Sequence, residues 1–324
     1  MTREVVARAP ARLDFGGGWT DVPPYCDREG GVVCNLAISR YATATVSQRS
    51  DGAEPSVSAD EDRLVHAALR CGPALGVEAR VASEFPVGAG LGGSSAAGVA
   101  LAGALAAYAG APLSSHALAR HSRDTEVHEL GVAGGYQDHF AAAFGGALLL
   151  TFERWGACVE RIALTNDVAD ALGRRGVLLY TGESRISGDT IVAVRNAYLG
   201  CVPRVVQALA RMKALAREMA GALRHGDLDA LGSLVGEHWE HQRALHPAIT
   251  TPRIDAIMDV VRRTGALGAK ALGASGGGCV LALARDGRED ELAEALSPFG
   301  ERLAFTVDSK GFDVLTDFHQ PAHA

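Results

Sequence analysis

The sequence predicts an α+β protein of two domains, and three observations carry this. The chain has 324 residues, more than a usual single domain. Strand-like alternation fills its first fifty residues, whereas long helix-period patterns follow residue 205. After residue 269 short strands and helices mix again, so the chain closes as an α+β unit. The change of character places a boundary near residue 165, giving domains 1–165 and 166–324.

The elements follow in order. Residues 4–9, 12–15, 31–38 and 41–48 read as strands, interrupted by a dense glycine turn at 16–21. Residues 60–75 read as a helix that Asp60 caps, with Leu64, Val65, Ala68 and Leu69 on one face. A strand at Val77–Ser83 leads through a glycine-rich loop into helices at 95–108, 114–130 and 135–143, and residues 145–152 return to strand. In the second half Leu209, Met212, Ala216, Met219 and Leu223 mark one amphipathic face of a helix ending near Gly226. Helices at 227–244 and Pro252–Arg263 come next. Strands at 269–272 and 278–283, a helix at Glu289–Leu296 and strands at 302–307 and 312–315 complete the chain.

Composition narrows the function. A net charge of −7 argues against nucleic acid or an anionic membrane as the main partner. The six cysteines form no CxxC pair, and with no leader-like segment the expectation is reduced thiols in a cytoplasmic protein. Residues 96–111 are apolar but short and built of Ala and Gly, so no membrane span is expected.

The loop Pro86-Val87-Gly88-Ala89-Gly90-Leu91-Gly92-Gly93-Ser94-Ser95 reads as an anion cradle. Its glycines let the backbone approach a ligand, and the helix behind it offers free N–H groups and a positive dipole end. It is not a P-loop, because none of the three lysines, Lys213, Lys270 and Lys310, lies near it. Gly88, Gly90 and Gly93 match the spacing of a dinucleotide loop, yet no acidic residue stands about 20 residues on. His238 with His241, and His121 with His128, lack zinc-enzyme spacing and read as surface or packing residues. Asp138, between Gly134-Gly135 and an Ala-rich helix, is a carboxylate costly to bury without a partner or a purpose.

Three glycine-rich segments in one order are more specific than one. Ala9-Pro10-Ala11-Arg12-Leu13-Asp14 through Trp19-Thr20-Asp21, then 86–96, then Lys270-Ala271-Leu272-Gly273-Ala274-Ser275-Gly276-Gly277-Gly278-Cys279, resemble the galactokinase, homoserine kinase, mevalonate kinase and phosphomevalonate kinase (GHMP) superfamily over essentially the full length. Gly93 stands where a serine is more usual. Within the superfamily, Gly17 to Tyr25, Gln137 to Gly146 and Trp239 to Pro247 resemble the heptose 7-phosphate kinases and the kinase domain of L-fucokinases.

The resemblance implies a β-rich N-terminal domain like ribosomal S5 domain 2 and a ferredoxin-like C-terminal domain. It implies transfer of the ATP γ-phosphoryl group to a sugar hydroxyl, the expected target being the anomeric position of a heptose 7-phosphate or of a similar sugar or cyclitol phosphate. Gly88, Gly90, Leu91, Gly92, Gly93, Ser94 and Ser95 then hold the triphosphate. Ser95 and Glu126 match the ligands of Mg²⁺, a one-residue insertion at 131–135 being needed to align Glu126 with Asp138. Asp138 is the expected general base and Arg12 its cationic partner, with a salt bridge from Arg12 to Asp14 as the structural alternative. Asp21, Gly18 and Trp19 are expected at the sugar, as are Gly276 and Gly277 of the third loop. Arg185, in Thr181-Gly182-Glu183-Ser184-Arg185-Ile186-Ser187, is expected to hold a substrate phosphate. The alternatives are a fucokinase-like enzyme of a free sugar and a non-catalytic sugar or nucleotide sensor. A small-molecule partner is expected, with no nucleic acid or membrane, and a homodimer is compatible with the sequence.

Overall fold

The computed structural model describes residues 3–49, 59–183 and 188–319. Strand β1 (Arg3–Gly16) changes character midway: Val5, Ala7 and Ala9 alternate inward, and from Ala9 to Gly16 every residue is buried. Strand β2 (Gly31–Gln48) mirrors it, continuously buried to Ile38 and alternating from Ala42 onward. One end of this sheet is therefore covered on both faces and the other on one. Each strand was expected as two. The break is a bulge, where Pro10 faces Tyr41 and Ala11 faces Ile38, so Ser39 and Arg40 are the extra residues.

The long β2 serves two neighbours. Its first half pairs with β4 (Ala147–Glu153) and its second with β3 (Val77–Ser83). With β5 (Gly156–Ile162), unforeseen from the sequence, and the last strand β10 (Asp313–His319), all pairings are antiparallel in the order β10-β1-β2-β4-β5, and β3 pairs with β2 off this path. Between these strands lie α1 (Tyr25–Glu29), α2 (Ala59–Cys71), α3 (Gly93–Tyr108), α4 (Ser115–Asp124) and α5 (Gln137–Phe144). The cap expected at Asp60 rests on a side chain outside those described. Helix α3 is buried from Ser95 to Ala106. Its small residues are what let it pass: a side chain at Gly98 would meet Ser122, and one at Gly103 the Phe312 ring.

After α6 (Asn166–Arg175), also unforeseen, a second sheet is built from β6 (Gly176–Tyr180), β7 (Gly268–Ala271), β8 (Cys279–Leu283) and β9 (Glu301–Arg302) in the order β7-β8-β6-β9. With α7 (Gly188–Leu199), α8 (Pro203–His225), α9 (Leu228–Leu245) and α10 (Pro252–Arg263) before β7, and α11 (Glu289–Leu296) after β8, this is a β-α-β-β-α-β unit of ferredoxin-like order. The strand expected at 302–307 shrinks to β9 and a single bridge from Val307 to Ile38. Helix α8 joins the domains, since Leu209 and Met212 lie in the second core while Leu215, Ala216, Met219 and Leu223 lie in the first.

The last strand, β10 (Asp313–His319), pairs with β1 in the first sheet. A division at 165 falls between β5 and α6, but β10 lies beyond it in sequence and on its near side in space. Covering the outer edge of β1 accounts for this return. No helix among the described residues is long and apolar enough to cross a membrane.

Gly103→Ala and Gly221→Ala make one chemical change in two helices. A methyl at Gly103 collides with Phe312, whereas at Gly221 nothing lies within 4 Å. The first should cost about 1–3 kcal/mol by overpacking and the second should stabilise by roughly 0.5–1 kcal/mol. Urea midpoints moving the same way for both would contradict this packing.

Candidate active site

A cleft of about 400 Å³ opens between the domains, and its walls include residues of all three glycine-rich segments. The second segment bends because Gly88, Gly90 and Gly92 have φ of 72°, 74° and 72°, a region only glycine enters freely. Gly92 is the N-cap of α3 and supplies no side-chain cap, so the first N–H groups of the helix face the cleft with Gly93, Ser94 and Ser95 on its wall. Gly93 has a reason of its own. The Phe85 ring lies 2.5 Å from where a Cβ would stand, so the serine more usual there does not fit.

The third segment braces the second. The Cys279 amide donates to Ala89 O at 2.8 Å, and side chains at Gly90 or Gly278 would lie 2.7 Å from the carbonyls of Leu272 or Ala89. Gln242, buried on α9, donates from Nε2 to the Ala271 and Gly273 carbonyls and to Ser275 Oγ. This segment reaches the cleft through Gly273 and Ala274. Gly276 and Gly277, expected at the sugar, are not on the described wall. The Gly276 amide donates to Ile249 O, and Gly277 packs on the backbone of Glu183. Arg185 lies outside the described residues.

Facing the helix end, Arg12 Nε donates to Asp138 Oδ1 at 2.7 Å and Arg12 Nη1 to Gly90 O. The Arg12 side chain is 4% exposed and that of Asp138 is 28% exposed, so the carboxylate is the member of the pair that a ligand can reach. Arg12 does not pair with Asp14. That carboxylate accepts from the buried Lys270 Nζ at 3.0 Å. Burial lowers the Lys270 pKa and Asp14 opposes the fall.

Asp21 is wholly buried, and its Oδ2 accepts from the amides of Tyr136 and Gln137 at 2.8 and 2.9 Å. One oxygen expected to receive sugar hydroxyls thus holds the start of α5, the helix that carries Asp138. Burial pushes its pKa up to about 6; the Gln137 amide resists, the Asp138 charge adds to the rise, and Tyr136 and Asp14 act as smaller opposing pulls. Trp19, at φ 77°, is buried in the second core and also forms cleft wall.

Ser95 Oγ donates to Glu126 Oε2 at 3.2 Å, and Glu126 Oε2 lies 3.0 Å from His139 Nε2. Burial works to raise the Glu126 pKa, but hydrogen bonds from His139, Ser94 and Ser95 and the His139 charge outweigh it and hold it below the usual carboxylate range. The helix expected at 114–130 ends in a π-helical turn, Thr125–Glu129, which carries Glu126. Such a turn holds one extra residue.

Several residues escaped the sequence reading. His139, hydrogen-bonded to Ser122 Oγ at 2.9 Å, orients Glu126, and its only signal was adjacency to Asp138. His238, read as surface or packing, is fully buried, and its Nε2 accepts from the Gly17 amide at 2.9 Å. Burial, then the charges of Lys270 and His241, hold its pKa well below the ordinary value, which keeps the acceptor nitrogen free of a proton. The signal that Lys270 offered was a rare lysine inside an apolar strand.

A glycine-rich loop at a helix start, facing an arginine–carboxylate pair between two α+β domains, is the layout of a two-domain small-molecule kinase. The chain belongs to the GHMP kinase family: its residues 62–146 match the GHMP kinases N terminal domain and residues 219–301 the GHMP kinases C terminal model. It is 27% identical to the D-glycero-alpha-D-manno-heptose 7-phosphate kinase of Campylobacter jejuni over 91% of this chain and 93% of that one. It is 26% identical to the L-fucokinase/L-fucose-1-P guanylyltransferase of Bacteroides fragilis over 96% of this chain, spanning 38% of that longer protein. A D-glycero-D-manno-heptose 1-phosphate kinase from Bacteriodes thetaiotaomicron shares the fold with a TM-score of 0.77 at 24% identity, over 98% of this chain and all of that one.

The raised pKa of Asp21 has a signed consequence. Its folded value, about 6, lies above the ordinary value of 3.8, so between these the folded state binds more protons than the unfolded and stability falls as pH rises. Asp21→Asn removes this contribution. Relative to wild type, the variant should gain on the order of 2 kcal/mol between pH 4 and 6.5 and nothing further above it, read from urea denaturation. A constant difference across that range would show that Asp21 is ionised throughout.

Proposed function

We propose that the chain is an ATP-dependent sugar kinase that phosphorylates the anomeric hydroxyl of a heptose 7-phosphate or a closely similar sugar phosphate. The observation that carries this reading is the Arg12–Asp138 pair set across from the open N-terminus of α3 in one cleft. The N–H groups at 92–95 take the triphosphate, the helix dipole favouring its charge. The acceptor hydroxyl lies against Asp138. As its oxygen bonds to the γ-phosphorus and the bond from phosphorus to the bridging β,γ-oxygen breaks, the hydroxyl proton passes to the Asp138 carboxylate and ADP leaves. Arg12 orients that carboxylate, and through Gly90 O ties it to the phosphate loop.

Ser95 Oγ and Glu126 Oε2 are adjacent hard-oxygen donors, a set that suits Mg²⁺, which takes one or two protein ligands and keeps several waters. Bound there, the ion supplies charge neutralisation to the phosphate oxygens. His139 holds the Glu126 carboxylate toward that place. The heptose assignment is supported by similarity to the Campylobacter enzyme along nearly the whole of both chains.

ADP release measured across sugars and sugar phosphates, with phosphorus NMR to assign the product carbon, tests the substrate. Turnover of heptose 7-phosphate at its anomeric carbon is expected, and phosphorylation of free L-fucose alone would replace this reading with the fucokinase-like one. Asp138→Asn should lower kcat by a factor on the order of 10² or more and leave the KM for ATP nearly unchanged. Near-normal turnover by the folded variant would place the base elsewhere. Glu126→Gln should raise the Mg²⁺ concentration needed for half-maximal rate by roughly tenfold, and an unchanged requirement would remove Glu126 from the metal site.

A further inference from the structure

Helix α9 reaches two different glycine-rich segments from one buried face. His238 and Gln242 lie one turn apart on the same side of it, and both are wholly buried. His238 Nε2 accepts from the Gly17 amide at 2.9 Å. Gly17, at φ 87°, opens the turn that sets Gly18 and Trp19 on the cleft wall, and its carbonyl accepts from the Thr20 amide and Thr20 Oγ1 within that turn. Gln242 Nε2 donates to the carbonyls of Ala271 and Gly273 at 3.3 and 3.1 Å and to Ser275 Oγ at 2.8 Å. Ser275 stands at φ 64°, a backbone region that L side chains rarely adopt, so this stretch needs holding. It presses on the phosphate loop: a Cβ on Gly90 would stand 2.7 Å from Leu272 O, and one on Gly273 would stand 3.0 Å from Gly90 Cα.

Each of these side chains leaves its second polar atom, His238 Nδ1 or Gln242 Oε1, buried with no hydrogen-bond partner among the described residues. An unpaired buried atom costs about 1–3 kcal/mol, so an apolar residue of like volume would serve the core better than either. What an apolar residue cannot do is hold a loop. We propose that His238 and Gln242 are positioning residues that divide the two substrates between them, His238 setting the acceptor's turn and Gln242 the nucleotide's loop. Neither is among the residues of the cleft wall. His238 acts on the sugar end through the turn that Gly17 opens, and Gln242 acts on the triphosphate end through Gly273 and Gly90, so one helix of the second domain sets the first domain's two loops against each other. This rests on the sugar-kinase reading above, and it adds residues that hold the loops to those that reading places at the phosphoryl group.

A merely structural role moves both substrates together, whereas a positioning role splits them. His238→Leu removes the acceptor of the Gly17 amide, His238→Gln returns an acceptor oxygen near the place of Nε2, and Gln242→Met removes the donor while keeping the length of the side chain. Mg·ADP and heptose 7-phosphate are titrated calorimetrically into the whole protein, and Tm is recorded for each variant. His238→Leu should weaken heptose 7-phosphate about tenfold and leave Mg·ADP within about twofold, Gln242→Met should do the reverse, and His238→Gln should recover most of the sugar affinity. Folded variants that weaken both ligands alike, or neither, overturn the proposal alone, because wild-type turnover of heptose 7-phosphate keeps the parent reading intact. A lower Tm with loss of both ligands assigns the two side chains to structure and likewise overturns it. Failure of the wild-type protein to bind or turn over heptose 7-phosphate overturns the sugar-phosphate reading and with it the role given to His238, and the Mg·ADP titration still decides that of Gln242.

Discussion

The close approach of two backbones holds this protein's cleft together. The phosphate-loop segment 88–90 lies directly against 272–273 and 278–279, near enough that a single methyl at Gly90 or Gly278 would strike a carbonyl. Main chain meeting main chain leaves no flexible atoms to yield, so the loop of one domain is set by the loop of the other. Gln242 fixes the third segment in turn, spending all of its Nε2 donor capacity on that loop. The domain interface is thus part of the site and not merely next to it.

Buried charge is handled in separate compartments. Arg12 serves Asp138, Lys270 serves Asp14, and His139 with two serines serves Glu126, so three carboxylates around one cleft each have their own donors. Among the described residues Asp21 accepts from backbone amides alone, with two other carboxylates acting on it, and burial pushes it up toward neutrality. A buried pair is weak evidence for stability, because desolvation offsets its attraction. Its value here is positional. Arg12 cannot move without disturbing both Asp138 and the carbonyl of Gly90.

The elements with strong local signals were legible from the chain itself. Helix α8 announced itself by apolar spacing. The loop at 88–95 announced itself by glycines at a strand-to-helix junction. The less legible elements were those whose existence depends on partners. Strand β5 is exposed along most of its length and is a strand because β4 lies beside it, and β10 follows the second domain but completes the first sheet because β1 offers an open edge. Among site residues, Arg12, Asp138, Ser95 and Glu126 were found through motifs. Lys270, His139, Gln242 and His238 were not, because each acts on a residue dozens to hundreds of positions away, or through a fold contact that spacing does not encode.

By itself the sequence determined the α+β class, the run of helices after residue 205, the anion-binding character of the loop before α3, and the family, since these rest on local periodicity, on glycine's conformational freedom and on motif order. Only the tertiary structure decided which carboxylate each cation serves. It also turned Gly276 and Gly277 toward Ile249 and Glu183 instead of the cleft wall, and gave Asp21 the work of holding α5. Those outcomes depend on distances of about 3 Å between groups far apart in the chain, and an interaction of that range is specified by packing, not by neighbours in sequence.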